Sequence, residues 1–128
     1  MLEKAVPRGP LLRLSGPCFW ACEAKLGALD AVRASRVGFL DGREVVEVEL
    51  RPGTELASFV EVARKLGCAG QVFDEAAAGR FEPSPKDTKY HLARSPYKDA
   101  ALDPTTQCRV NAAIARGEDP APLLSSGK

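Results

Sequence analysis

Val37-Gly38-Phe39-Leu40-Asp41-Gly42-Arg43-Glu44-Val45-Val46-Glu47-Val48-Glu49-Leu50 is the stretch on which the fold turns. Asp41-Gly42 is a two-residue hairpin signal, because a type I′ turn needs positive φ at both central positions. The residues on either side, 32–40 and 43–50, are rich in β-branched and apolar side chains and read as two paired strands. The returning strand alternates, with Glu44, Val46, Val48 and Leu50 on one face and Val45, Glu47 and Glu49 on the other. The first set is the expected buried face, which sends Glu44 toward the core side at the start of the strand. The turn pins that register, since a slip of one residue would exchange the two faces.

Upstream of the hairpin, residues 11–15 read as a strand, and Gly16-Pro17 break it. A helix follows over about 19–31, with Cys18, Cys22, Leu26 and Leu29 on one stripe. Downstream, Pro52-Gly53 ends the hairpin and Thr54 is the expected cap of a helix over 55–66. Leu56, Phe59, Val60, Ala63 and Leu66 form its apolar stripe, and Gly67 stops it. Gln71-Val72-Phe73 is a short last strand. This order predicts the α+β class, a ferredoxin-like βαββαβ sandwich over 11–73 with both helices on one face of an antiparallel sheet. The first strand is expected beside the third.

The remainder, 74–128, reads as an extension of the same single domain, 1–128. Residues 74–89 are a long loop. Asp103-Pro104 opens a helix over about 104–116, with Asp as cap and Pro at the first helical position. Gly117 ends it. The tail and residues 1–10 are expected to be surface arms.

With 128 residues, 27% charged and 45% apolar, the chain suits one soluble globular domain. A net charge of +1 gives no reason to expect nucleic acid or an anionic membrane as partner. No apolar run is long enough to span a bilayer, and the N-terminus lacks the pattern of a secretory signal. The expected compartment is the cytoplasm, where a cysteine is kept for redox or metal chemistry more often than for a disulfide.

Cys18 stands where strand gives way to helix. Unpaired N–H groups and the helix dipole there favour negative charge, and thiolate is the nucleophilic form. Two aromatics follow, Phe19 and the only tryptophan, Trp20, so an apolar wall beside a nucleophile is expected. Glu44, on the core side and near the end of the first strand, is the candidate acid; the plain alternative is a strand-end carboxylate reaching solvent.

Gly16-Pro17-Cys18-Phe19-Trp20-Ala21-Cys22-Glu23 resembles the active-site signature of the methionine sulfoxide reductase A family, Gly-Cys-Phe-Trp followed by a small residue, a variable one and Glu. Val37-Gly38-Phe39 is similar to the family's Val-Gly-Tyr, and the run from Arg43 to its His-x-Glu-x-Val segment, whose Glu is the acid. The likeness covers about the first half of a shortened, divergent relative, without the family's long segment before the acid. It implies reduction of oxidised methionine or another small sulfoxide, with a Cys18 thiolate attacking sulfur and Glu44 protonating oxygen. It also implies Phe19 and Trp20 as substrate-binding walls, with Tyr90 or Tyr97 as hydroxyl donors, and a thioredoxin-like or small-thiol reductant. No cofactor is implied. Cys22, Cys68 and Cys108 are the candidates for clearing the sulfenic acid. Cys108, off the Val110/Ala113/Ile114 stripe and so read as accessible, is preferred. The first half also resembles a heavy-metal-associated domain, which makes Cys18 and Cys22 an alternative soft-metal thiolate pair, spaced wider than that family's Cys-x-x-Cys.

Overall fold

The computed structural model describes residues 9–16, 18–74, 81–84 and 89–126. Residues 1–8 of the expected N-terminal arm, and part of the loop after residue 74, fall outside them; Gly9 and Pro10 are not a surface arm, since Gly9 is buried and the Leu50 N–H donates to the Pro10 carbonyl at 2.9 Å. The elements are β1 (Leu11–Leu14), α1 (Phe19–Gly27), β2 (Val32–Leu40), β3 (Arg43–Leu50), α2 (Leu56–Lys65), β4 (Val72–Asp74), β5 (Phe81–Pro83), α3 (Tyr90–Ala93), α4 (Pro104–Ala115) and α5 (Ala121–Ser126). The class is α+β. Five strands form one sheet in the order β4-β1-β3-β2-β5, and every neighbouring pair is antiparallel.

The hairpin forms as its sequence dictates. Asp41 has φ 53° and Gly42 φ 80°, the two positive values of the turn, and Leu40 pairs with Arg43 across it. Along β3, Val46 lies between Leu14 and Val37, and Val48 between Leu12 and Ser35. Leu12, Leu14, Val37, Val46 and Val48, with Val32 and Leu50, make the sheet's contribution to the core. Phe19, Cys22 and Leu26 of α1, Phe59 and Ala63 of α2, Cys68 and Ala69 after it, and Cys108 of α4 supply the rest. A bulge at Arg33 breaks the register of β2 and sets Ser35 opposite Val48.

Several expectations need correction. Val45 is as fully buried as Val46, and Glu47 is only 7% exposed, whereas Glu44 is exposed. The sheet's second face is therefore covered around β3 rather than open. Phe81 of β5 accounts for part of the cover, because a Cβ built on Gly38 would run into its ring and into the Glu82 carbonyl. Thr54 does not cap α2. Glu55 takes that position without a side-chain bond, and the Thr54 hydroxyl turns back to the Arg51 carbonyl at 2.6 Å. The extension is more ordered than a loop and one helix: β5 adds to the edge of β2, and α3 and α5 flank α4. Asp103 does cap α4, accepting from the Thr106 N–H at 2.7 Å. The helix α4 lies against α1 and β2. Its closest approach is at Gly27, where a Cβ would stand 2.9 Å from the Cys108 carbonyl oxygen.

Candidate functional site

Cys18 is the N-cap of α1, in extended conformation at φ −152°, with its thiol exposed and making no capping bond. Its carbonyl accepts the Cys22 N–H at 3.0 Å, the first bond of the helix. One residue on, the Phe19 N–H has no partner within the helix. It donates at 3.4 Å to Oε1 of Glu44, whose strand begins beside this turn. The sheet register thus brings the Glu44 carboxylate to the residue that follows Cys18. Its helix-side orientation is as the alternation implies. Its exposure is what the plain reading of a strand-end carboxylate implies.

The aromatic residues divide. Phe19 is buried to 7% exposure and is a core residue, edge-on to Trp20 at 5.0 Å and tilted against Phe39 at 5.6 Å. As a substrate wall it is therefore corrected: its backbone N–H, not its ring, belongs to the site. Trp20 is half-buried and meets the Tyr90 ring at 5.6 Å. The Arg94 guanidinium lies 3.8 Å from the centre of that ring. Tyr90 reaches Trp20 because buried Asn111 of α4 accepts the His91 and Leu92 N–H groups, each at 2.9 Å, and so fixes the start of α3. Tyr97 lies further along, in a turn closed by the Ala100 N–H on its carbonyl.

The cysteines contradict the expected recycling scheme. Cys108 is 1% exposed, not accessible. It packs at the Gly27 end of α1, about 13 Å of helix rise from Cys18. Its thiol lies 3.4 Å from the Ser35 hydroxyl. That hydroxyl donates at 2.9 Å to Glu23, which is itself ion-paired with Lys89 at 3.3 Å. Burial pushes the Cys108 thiol up from its ordinary value, and the Ser35 hydrogen bond only partly opposes this. Cys108 sits off its helix's apolar stripe because it faces this buried polar cluster, not solvent.

Cys22 and Cys68 form a disulfide. Neither is a free thiolate, so the Cys18/Cys22 soft-metal pair is not available in this structure. Among the described residues, no group of three or more His, Cys, Asp or Glu is placed to hold a metal ion. The signal for the bridge lies in Gly16, where a Cβ would stand 2.6 Å from the Cys22 sulfur and 3.5 Å from the Cys68 Cα. Only glycine lets the strand end pass so close to the bridge.

Sequence reasoning also missed an apolar groove of about 470 Å³ on the outer side of α1. Ala21, Ala24, Lys25 and Ala28 of α1 and its following turn line it, with Leu29, Leu66 and Ala115. Small side chains hollow it out. His91 closes one side, its imidazole held below the usual value chiefly by burial and then by the Arg94 charge. Among the described residues no helix is long and apolar enough to cross a membrane. In comparison with known proteins, the chain matches no family model, no curated protein and no solved structure.

Proposed function

We propose that the chain is a thiol-dependent reductase of sulfoxides, resembling peptide-methionine sulfoxide reductases of the A type, built on a ferredoxin-like βαββαβ core. The strand order β4-β1-β3-β2 favours that core. The observation that carries the reading is the Phe19 N–H to Glu44 contact, which sets a carboxyl group beside an exposed cysteine at a helix start.

In the proposed reaction the Cys18 thiolate attacks the sulfoxide sulfur while Glu44 delivers a proton to the oxygen. The S–O bond then breaks, expelling hydroxide and leaving a sulfonium bonded to the Cys18 sulfur; hydroxide attacks that sulfur and breaks the new S–S bond, leaving a sulfide and a Cys18 sulfenic acid, so sulfur of the substrate is reduced and sulfur of Cys18 oxidised. A thiol from outside the chain attacks the sulfenic acid and releases water. A second thiol frees Cys18 and carries away the disulfide. An external reductant of the thioredoxin or small-thiol kind fits the burial of Cys108 and the pairing of Cys22 with Cys68. The apolar groove beside α1 begins at Ala21, one turn on from Cys18, and suits the apolar neighbours of an oxidised methionine in a peptide rather than the sulfoxide itself. The Cys22–Cys68 disulfide weighs against the reducing cytoplasm expected from the sequence, where such bridges are rare.

The test is turnover of a methionine sulfoxide peptide with dithiothreitol as reductant. Cys18→Ser should abolish it, and Glu44→Gln should slow it by on the order of 10²–10⁴, the range for losing a general acid. Cys108→Ala should turn over at the parent rate. Activity surviving in Cys18→Ser would end the reading.

A further inference from the structure

Resting on the sulfoxide-reductase reading of Cys18, we propose that the groove beside α1 binds the peptide around the sulfoxide. It selects apolar segments that carry an aspartate or glutamate about three residues from the oxidised methionine. Lys25 is the specificity-determining residue that meets the acid.

The groove is built from small residues of one helix and the ends of two others. Ala21, Ala24 and Ala28 form its floor, and they are too short to fill the space above it, so about 470 Å³ stays open. Leu66, the C-cap of α2, and Ala115, the last residue of α4, add apolar surface at its sides. Ala21 and Ala28 are exposed, so the floor faces solvent. In such a cleft, apolar burial supplies most of the affinity and a few polar groups supply the choice of ligand.

Its length and place suit a peptide that passes Cys18. From Ala21 to Ala28 the floor rises by about 10 Å. An extended peptide covers that distance with about three residues. The floor begins about 4.5 Å of rise beyond Cys18, so a chain whose sulfoxide sits at Cys18 lays its next residues over the groove. Lys25 lies about 10 Å of rise from Cys18, level with the third of those residues.

The charged lining chooses an acid there. Lys25, His91 and Arg116 line the groove, and no carboxylate among the described residues does. Arg116 is already paired with Glu118, at 2.7 Å. The His91 imidazole, held below its usual value, is uncharged at neutral pH. That leaves Lys25. Its ammonium donates to the Leu66 carbonyl at 3.4 Å, which keeps it at the groove's edge, and no carboxylate of the described residues pairs with it. An ammonium has three donors, so it can take a peptide carboxylate as well. A basic peptide would meet only like charge. A fatty acid would match Lys25 and the floor but would leave the nearness of Cys18 unused.

The experiment is turnover at low ionic strength with dithiothreitol as reductant. The substrates are short capped peptides of leucine and alanine around one methionine sulfoxide. Aspartate, asparagine or lysine stands about three positions away, on either side. In at least one of the two orders, kcat/KM should fall from aspartate to asparagine by about two- to fivefold, the worth of an exposed ion pair, and fall again to lysine. Salt should shrink the difference, and serine in place of the leucines should lower kcat/KM for all three. Lys25→Glu should reverse the charge order. Equal rates for the three peptides in both orders overturn the proposal, as does a preference that Lys25→Glu leaves in place. The same peptides carrying unoxidised methionine, titrated into the isotopically labelled full chain, should shift the backbone amides of Ala21, Lys25 and Ala28 saturably by NMR. Those shifts in a chain that reduces no sulfoxide would end the reductase reading alone and keep the groove as a site for acidic, apolar peptides. Their absence overturns the groove proposal whatever the turnover. Decanoate binding there more tightly than the aspartate peptide also overturns it, in favour of a fatty acid.

Discussion

The two free cysteines lie at opposite ends of α1, Cys18 as its N-cap and Cys108 on α4 packed against Gly27, and the chain treats them in opposite ways. At the N-terminal end Cys18 is exposed, with the Glu44 carboxylate on the neighbouring N–H. At the other end α4 closes over Gly27, and Cys108 is sealed beside Ser35 within the Glu23–Lys89 cluster. The lesson is that position along a helix says little about a thiol until its covering element is known. Both cysteines begin from similar local sequence, polar or turn-forming residues near a helix start. Only the packing of α4 on α1 and β2 separates them.

Alkylation tests that contrast most directly, and there the largest effect is expected. With iodoacetamide on the folded chain, Cys18 should label on the order of 10³ or more times faster than Cys108, because Cys108 reacts only through openings that cost several kcal/mol. In denaturant the two should label at similar rates. Mass spectrometry of the digested protein reads both, and equal labelling of the folded chain would break the comparison.

The next effect concerns what holds the Cys18 end in place. The Cys22–Cys68 bridge closes a loop of 46 residues and ties α1 to the segment after α2. On the chain-entropy account a loop of that size is worth about 4 kcal/mol. The double variant Cys22→Ala/Cys68→Ala should lose stability of that order in urea unfolding, followed by Trp20 fluorescence. A change below about 1 kcal/mol would mean that the bridge adds little to a core already closed by Leu14, Leu26 and Phe59.

What the sequence made legible, and what it did not, divides along the same line. The hairpin, its register, α1, α2 and the cap of α4 were readable because each is specified locally: Asp41-Gly42 by its φ values, β3 by alternation, α4 by Asp103-Pro104. The nearness of Glu44 to Cys18 was readable because register and strand direction fix it. Three things were not. The disulfide depends on the close pass of Gly16, which looks in sequence like any turn glycine. Burial of Cys108 depends on the packing of α4 against Gly27, and the Ser35 hydroxyl beside it reaches the core face only through the bulge at Arg33. Burial of Glu47 goes with Arg13 and Arg36, which bond it and pack against Phe81 of a strand too short to announce itself. Each is a tertiary contact without a periodic signature.

A smaller effect is expected from the piece that joins the two ends. Asn111 reaches from α4 to the first N–H groups of α3, and through them sets Tyr90 against Trp20. Asn111→Ala leaves those donors without their acceptor, at a cost of about 1–3 kcal/mol. Trp20 is the only tryptophan, so loss of the Tyr90 contact should also change its emission in the folded state. Lost stability with unchanged emission would show that Tyr90 is held by Trp20 and Arg94 themselves.

The smallest effect is in alkaline pH, and it sharpens the difference in burial. Burial raises the Cys108 thiol above its ordinary value, with the Ser35 hydrogen bond and the Lys89 and Arg109 charges opposing and the Glu23 charge reinforcing. In the unfolded chain the same thiol titrates at its ordinary value. Below that value both states hold the proton, and the folded state keeps its full stability. As pH rises past it, the unfolded chain releases a proton that the folded chain retains, so unfolding becomes more favourable. The slope approaches at most about 1.4 kcal/mol per pH unit for one group. Other alkaline groups titrate over the same range, so the measurement is a difference: urea midpoints of the parent and of Cys108→Ala, compared between neutral and alkaline pH. The parent should lose more stability than the variant, and the gap should open only above the ordinary thiol range. Parallel curves would mean that Cys108 ionises as easily in the folded chain as out of it. The two ends of α1 would then differ in exposure without differing in the charge they can hold.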